Sequence, residues 1–378
     1  GEIYEMARVN LNGKDLGIYA LEEHFDKRLI ENNEKKEGPI IKFNEEGFWQ
    51  TLLNGRLNSS EQYLISEIDS YENNDLSKRA ITLLENYRSG KNDFEEIFDI
   101  ELFAKHYAIS RILGSMHGEV WHNRRFYFNP ITDKLEPIGF DGVFFNYSPR
   151  VRYINNLFDN SNFYWLSNEK NNYKLISKIA EYIEEFSKTD IFLKYKNDLE
   201  YYQDLFYRNF PDYSFDKNYL VENQKYYLNV LYPHPKNLVS AYIVVDSSGY
   251  FLKIGNNQSW PLKIGSLDYK GETIILKDDN IILPGKYPSA PAKYYIYPIK
   301  KKELFEKENF ELQNLKIYCK IIGTSKFTEV PLSNWNHNEK LNVTNSYLND
   351  ISDINEIPFI DIVNGEKLLV KPGVHNII

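Results

Sequence analysis

Helical periodicity nearly vanishes from this sequence after about residue 230, and that change of pattern constrains the fold more than any other feature. Before it, apolar residues recur at both helical and strand spacings. After it, short β-type runs dominate: Ala241-Tyr242-Ile243-Val244-Val245, Thr273-Ile274-Ile275-Leu276, Tyr294-Tyr295-Ile296-Tyr297 and Leu315-Lys316-Ile317-Tyr318. Turn residues such as Ser247-Ser248-Gly249 separate them. Regular short strands divided by turn signals indicate an all-β, sandwich-like module. The expected class is therefore α+β, with one domain over residues 1–230 and a β-rich accessory domain over 231–378. At 378 residues, each part is long enough to bury its own core.

The first part divides again. Ala7, Val9 and Leu11 alternate with Arg8 and Asn10, and Asn12-Gly13 is a hairpin turn signal. A second strand runs through Gly17 to Glu23. Asp26 can then cap a short helix carrying Leu29 and Ile30. After Gly38-Pro39, the run Ile40-Ile41-Lys42-Phe43 reads as a third strand of the same small sheet, giving a sheet lobe over about residues 1–50. A helical lobe follows over about 51–230. There Phe103, Ala104, Tyr107, Ala108 and Ile112 recur at three- and four-residue steps between a cap at Asp99 and Gly114. Arg124 to Phe128 and Lys134 to Phe140 read as a second hairpin around Asn129-Pro130. Leu175, Ile176, Ile179, Ile183 and Phe186 mark another helix, and Leu193 to Phe206 one more.

Composition excludes several classes. The net charge of −9 argues against a general nucleic-acid binder, which needs a basic face. No apolar run approaches the ~20 residues of a bilayer span. A single cysteine, Cys319, rules out an intramolecular disulfide framework and a thiolate metal cluster. The opening Gly1 and the strand-like tail at Val370 to His375 are read as the edges of a piece of something longer, truncated at its C-terminus.

The residues with chemical potential lie in three segments. Glu23 ends the second strand and Lys42 lies on the third, beside Glu23 if those strands pair. The run Met116 to Asn123 and the run Phe140-Asp141-Gly142-Val143 flank the second hairpin. Glu119 on a loop, Asn123 four residues later and Asp141 beyond the hairpin would bring oxygen ligands from two backbone segments together. Hard oxygen donors suit Mg²⁺, which keeps waters and shares its site with phosphates. A strand Lys held by a Glu supplies positive charge for those phosphates, and the order matches the protein-kinase plan. His117 and His122 flank Glu119, but H-x-E-x-x-H on a loop with no third ligand places zinc well below magnesium. Of Arg124 and Arg125, strand alternation lets only one face the site.

These residues resemble a known family. Asn12-Gly13 followed by Gly17, Tyr19, Leu21, Glu23, Asp26 and Lys27 is similar to the opening motif of the spore coat protein H (CotH) kinase family. Gly38-Pro39-Ile40-Ile41-Lys42 resembles its next strand. Asn123, Phe126-Tyr127-Phe128 and Pro137-Ile138-Gly139-Phe140-Asp141 resemble its later metal-binding region, so that the likeness covers about residues 5–210.

The resemblance implies a two-lobed atypical kinase that uses ATP and Mg²⁺ to phosphorylate protein Ser or Thr. Carried over by position, Lys42 would contact nucleotide phosphates, Glu23 would orient Lys42, and Asn123 and Asp141 would hold metal. The catalytic acid would fall at Glu119, where the family has Asp. Phe140 and Val143 also depart from the family, which has Trp and a second Asp there. The competing expectation is a catalytically impaired nucleotide-binding or scaffold relative, attached to a β-rich module that meets a cell surface or glycan. Either way the expected partners are nucleotide and protein rather than nucleic acid, and the expected setting is extracellular or cell-surface.

Overall fold

The computed structural model describes residues 4–43, 65–67, 74–142, 169, 171–212, 217–274, 276, 281–286, 290–300, 302–334, 359–363 and 366–370. Contacts divide the chain into two compact units, Gly1–Ser333 and Asn334–Ile378. In the second, Phe359–Val363 pairs antiparallel with Glu366–Val370.

The first unit mixes helices and sheets, as an α+β chain should. Strands β1 (Tyr4–Leu11) and β2 (Lys14–Glu22) form the expected hairpin. Asn12 and Gly13 turn it with φ of 51° and 81°, which Asn tolerates and Gly adopts freely. Helix α1 (Lys27–Asn32) follows, and the Asp26 side chain accepts the Arg28 amide at its start. Next comes β3 (Ile40–Phe43), then β4 (Ile65–Glu67), α2 (Asn74–Arg88), α3 (Phe94–Ile97) and α4 (Ile100–Leu113). Asp99 caps α4 by accepting the Leu102 amide, and Gly114 ends it at φ 68°. Two 3₁₀ turns, Met116–Glu119 and Trp121–Asn123, lead into β5 (Arg125–Asn129) and β6 (Lys134–Ile138).

The sheet order corrects the expected small-sheet lobe. Among the described residues, strands β1 and β2 pair only with each other, whereas β3 lies in a second sheet ordered β4-β3-β5-β6. The third strand thus joins the second hairpin instead of the first. The reason is apolar alternation. Ile41 and Phe43 project from one face of β3 with Phe126 and Phe128 of β5, and all four are buried in the main core beside Leu84, Phe98 and Phe103. On the other face, Ile40 and Tyr127 close over Phe25, Leu29 and Ile30, a separate small core. Hairpin β1–β2 is exposed along most of its length and offers β3 no such apolar partner.

The helical body continues with α5 (Tyr173–Lys188), α6 (Ile191–Lys194), α7 (Lys196–Asn209), α8 (Lys217–Leu231) and α9 (Pro235–Leu238). Helix α5 packs against α4 and α8 and buries Leu175, Ile176, Ile179, Ala180 and Ile183. The β-rich part comprises β7 (Val239–Asp246), β8 (Gly249–Asn256), β9 (Leu262–Tyr269), β10 (Glu272–Ile274), β11 (Ile282–Leu283), β12 (Tyr294–Pro298), the short helix α10 (Lys302–Phe305), β13 (Leu315–Ile321) and β14 (Thr328–Pro331). One sheet contains β12-β8-β7, and another runs β10-β9-β13-β14 with β11 also on β9. The inward alternation of β13 (Leu315, Ile317, Cys319, Ile321) places its apolar side chains in the same core as Ile243 of β7 and Ile254 of β8.

The expected boundary near residue 230 falls inside the first unit, and one continuous core crosses it, from Leu175 and Ile179 through Leu231 to Ile264 and Ile317. A polar junction reinforces it. The Glu184 carboxylate on α5 accepts from the Ser325 amide at 2.7 Å and from Tyr232, Ser325 and Lys188 side chains. Gly323 allows the close approach: its φ is +86°, and a Cβ there would lie 1.9 Å from the Ser177 carbonyl oxygen.

Candidate functional site at one end of the β4-β3-β5-β6 sheet

Strand register gathers the candidate residues. Lys42 on β3 lies directly opposite Arg125 on β5, and Arg125 lies opposite Ile138 on β6. Directly opposed residues share a face of an antiparallel sheet, so Lys42, Arg125 and Ile138 form one row. Asn123 lies two residues before Arg125 and Asp141 three after Ile138, so both leave the same end of the sheet. The Trp121–Asn123 turn packs against β3, with the Trp121 ring edge-on to Phe43 at 6.0 Å.

Asn123 and Asp141 meet there. The Asn123 amide donates to Asp141 Oδ2 at 2.8 Å and to the His117 carbonyl oxygen at 3.0 Å. His117 Nδ1 lies 2.6 Å from the same Asp141 oxygen. Two backbone features set this geometry. Asp141 adopts φ 52°, in the left-handed region that Asp visits more readily than most residues. Gly118 lies against the Phe140 carbonyl oxygen, which a Cβ would approach to 2.1 Å, so the 3₁₀ turn and the Asp141 segment fit together only with glycine at this position. The His117 side chain is 39% exposed and that of Asp141 26%, leaving the pair open to solvent on one side.

The structure does not bring the remaining candidates to this point. Glu119 is 1% exposed and lies in the interior, with Oε2 3.1 Å from Arg111 on α4. Burial raises its carboxyl, while Arg111 and Arg124 pull the other way. Glu119, expected as the catalytic acid, is thus enclosed in a packed ion pair with Arg111 instead of standing beside Asn123 and Asp141. Glu23 accepts a hydrogen bond from the Asn32 side chain, and among the described residues no ion pair joins it to Lys42. The pairing between β2 and β3 that would have set them side by side does not form. Val143 lies outside the described residues.

Arginine alternation resolves as a division of labour. Arg124 turns into the interior beside Glu119, its Nε 3.4 Å from the Glu119 carbonyl oxygen, whereas Arg125 shares the face of Lys42. His122 is buried edge-on against Trp121 and does not join His117 in a zinc site. Among the described residues, no three His, Cys, Asp or Glu side chains gather as metal ligands. The residue whose role sequence reasoning missed is His117. The sequence singles out His117 only as a neighbour of Glu119 in H-x-E-x-x-H, and nothing local to it signals the contact with Asp141 across the hairpin.

Among the described residues no helix is long and apolar enough to cross a membrane. Residues 3–188 match the family model described as CotH kinase protein, a span that contains every residue of the site. No curated protein matches the chain.

Proposed function

We propose that this chain, which belongs to the CotH kinase family through residues 3–188, binds Mg-ATP at the sheet end where Asn123 meets Asp141 and Lys42 stands in register with Arg125, and transfers the γ-phosphoryl group to a Ser or Thr hydroxyl of a protein. The observation that carries this reading is the 2.8 Å contact between Asn123 and Asp141 at the sheet end where Lys42 stands in register. Asp141 supplies a carboxylate and Asn123 an amide oxygen. That oxygen-donor set fits a hard divalent cation that keeps several waters and is completed by phosphate oxygens. When bound, the cation would neutralise charge developing on the transferred group. Lys42 would bind nucleotide phosphates from the neighbouring strand, and His117 would hold the Asp141 carboxylate in orientation. Phosphoryl transfer depends chiefly on positioning and charge, which is what these residues provide.

Glu119 favours a second reading: a relative that binds nucleotide without turnover, because the turn that should present an acid buries it. The β-rich part would then serve as the working surface, toward a cell-surface or glycan partner in an extracellular setting. One experiment separates the two. Incubation with radiolabelled ATP and Mg²⁺ should label the chain or a Ser-rich protein substrate, and Asp141→Ala should abolish the label. A Mg-ATP-dependent rise in Tm with no label supports the binding module. No rise and no label would end both.

A further inference from the structure

We infer that Arg125 is the positioning residue of this site: its guanidinium ties the Asn123 turn, the Asp141 segment and the linker before α1 into one arrangement beside Lys42. For its ligand, the inference rests on the nucleotide reading above. For its geometry, it stands alone.

Arg125 is the first residue of β5 and only 6% exposed. Its Nη1 donates to the His122 carbonyl oxygen at 2.9 Å and to that of Arg124 at 3.2 Å, which grips the backbone on either side of Asn123. Its guanidinium carbon lies 4.6 Å from the centroid of the Phe140 ring, the residue immediately before Asp141. The Phe25 ring lies 5.8 Å away on the linker that leads into α1, and the two rings meet edge to face at 5.2 Å. Lys42 faces Arg125 across the strand pair. One planar cation thus touches the neighbours of both proposed metal ligands and stands opposite the proposed phosphate-binding lysine.

The chemistry needs arginine. Nη1 donates to both carbonyls while the flat face of the guanidinium lies over the Phe140 ring, so one planar group sets the two contacts relative to each other. A lysine ammonium can donate to carbonyls, but it has no flat face to lay on the ring. Partners that orient metal ligands typically carry 10- to 100-fold in metal affinity or activity.

The test uses Arg125→Lys and Arg125→Met in the full chain, with two readouts. The first is amide hydrogen exchange without nucleotide. Both variants should exchange several-fold faster in the peptides spanning His122–Arg124 and Phe140–Gly142, with α4 and α5 unchanged. The second is Mg-ATP affinity by calorimetry, where both should weaken about 10-fold or more. Wild-type exchange in those peptides, faster exchange spread evenly over α4 and α5, or full rescue by lysine would each overturn the inference. If Arg125→Met does not fold, Arg125→Lys decides alone. If the wild-type chain takes up no Mg-ATP, the nucleotide reading fails, while the exchange readout still decides the role of Arg125.

Discussion

Asp141 Oδ2 lies 2.6 Å from His117 Nδ1, although the two residues stand on opposite sides of a complete β-hairpin. The hairpin β5–β6 returns the chain to the sheet end it left, and Gly118 lets the turn before it lie flat against the segment after it. His117 and Asn123 therefore converge on one carboxylate oxygen from two consecutive 3₁₀ turns.

Asp141→Ala removes the carboxylate and should abolish the Mg-ATP-dependent Tm shift. His117→Ala leaves the carboxylate in place with one orienting contact fewer. It should weaken Mg-ATP by roughly 10- to 100-fold without abolishing binding. Calorimetric titration of both variants checks the order of the two effects.

Lys42 and Glu23 should behave independently. Lys42→Met removes the cation from the row shared with Arg125 and should raise the Kd for Mg-ATP about tenfold or more. Glu23→Gln keeps the hydrogen bond with Asn32 within reach and should leave that Kd within about threefold, because Glu23 holds Asn32 and not Lys42. A matching loss in both variants would show a Lys–Glu pair in the working state.

Glu119 should matter for stability first. Glu119→Ala strands Arg111 in the core, and breaking a buried ion pair from one side costs about 3–5 kcal/mol. Replacing both partners, with Arg111→Met and Glu119→Leu, should recover part of that loss, since Arg111 no longer sits uncompensated while buried Arg124 still lacks the Glu119 carboxylate beside it. Urea unfolding of the two variants measures this. A Glu119→Ala chain as stable as wild type would contradict the buried pair.

Glu184 gives the junction across residue 230 a pH signature. Burial alone would raise its carboxyl, but hydrogen bonds from Lys188, Ser325 and Tyr232 outweigh it and hold the group at about 2. The folded value lies below the ordinary value of 4.5, so the unfolded chain binds the extra proton between the two. The contribution is complete above about pH 4.5 and is lost as pH falls toward 2. Glu184→Gln should lower the urea midpoint at pH 6, and the gap to wild type should narrow at pH 3. A gap of equal size at both pH values would show that the carboxylate charge contributes nothing there.

Features governed by neighbours along the chain were legible in advance. The Asn12-Gly13 turn, the caps at Asp26 and Asp99, the stop at Gly114, the helix around Ile179 and the β-type runs after 239 all follow from local backbone preference and apolar period. The same holds for the approach of Asn123 and Asp141, because a hairpin returns the chain to its start whatever surrounds it. What the sequence could not decide was the partner of β3, the side of the turn on which Glu119 falls, and the unity of the core across residue 230. Each is a choice between contacts remote in sequence. Strand β3 pairs with β5 because both sheet faces can then be buried; Glu119 turns inward because Arg111 waits on α4; and α5 meets the β-rich part because Glu184 and Ser177 find Ser325 and Gly323. Local preference carries no information about which distant surface supplies the better burial, and only the folded chain settles that competition.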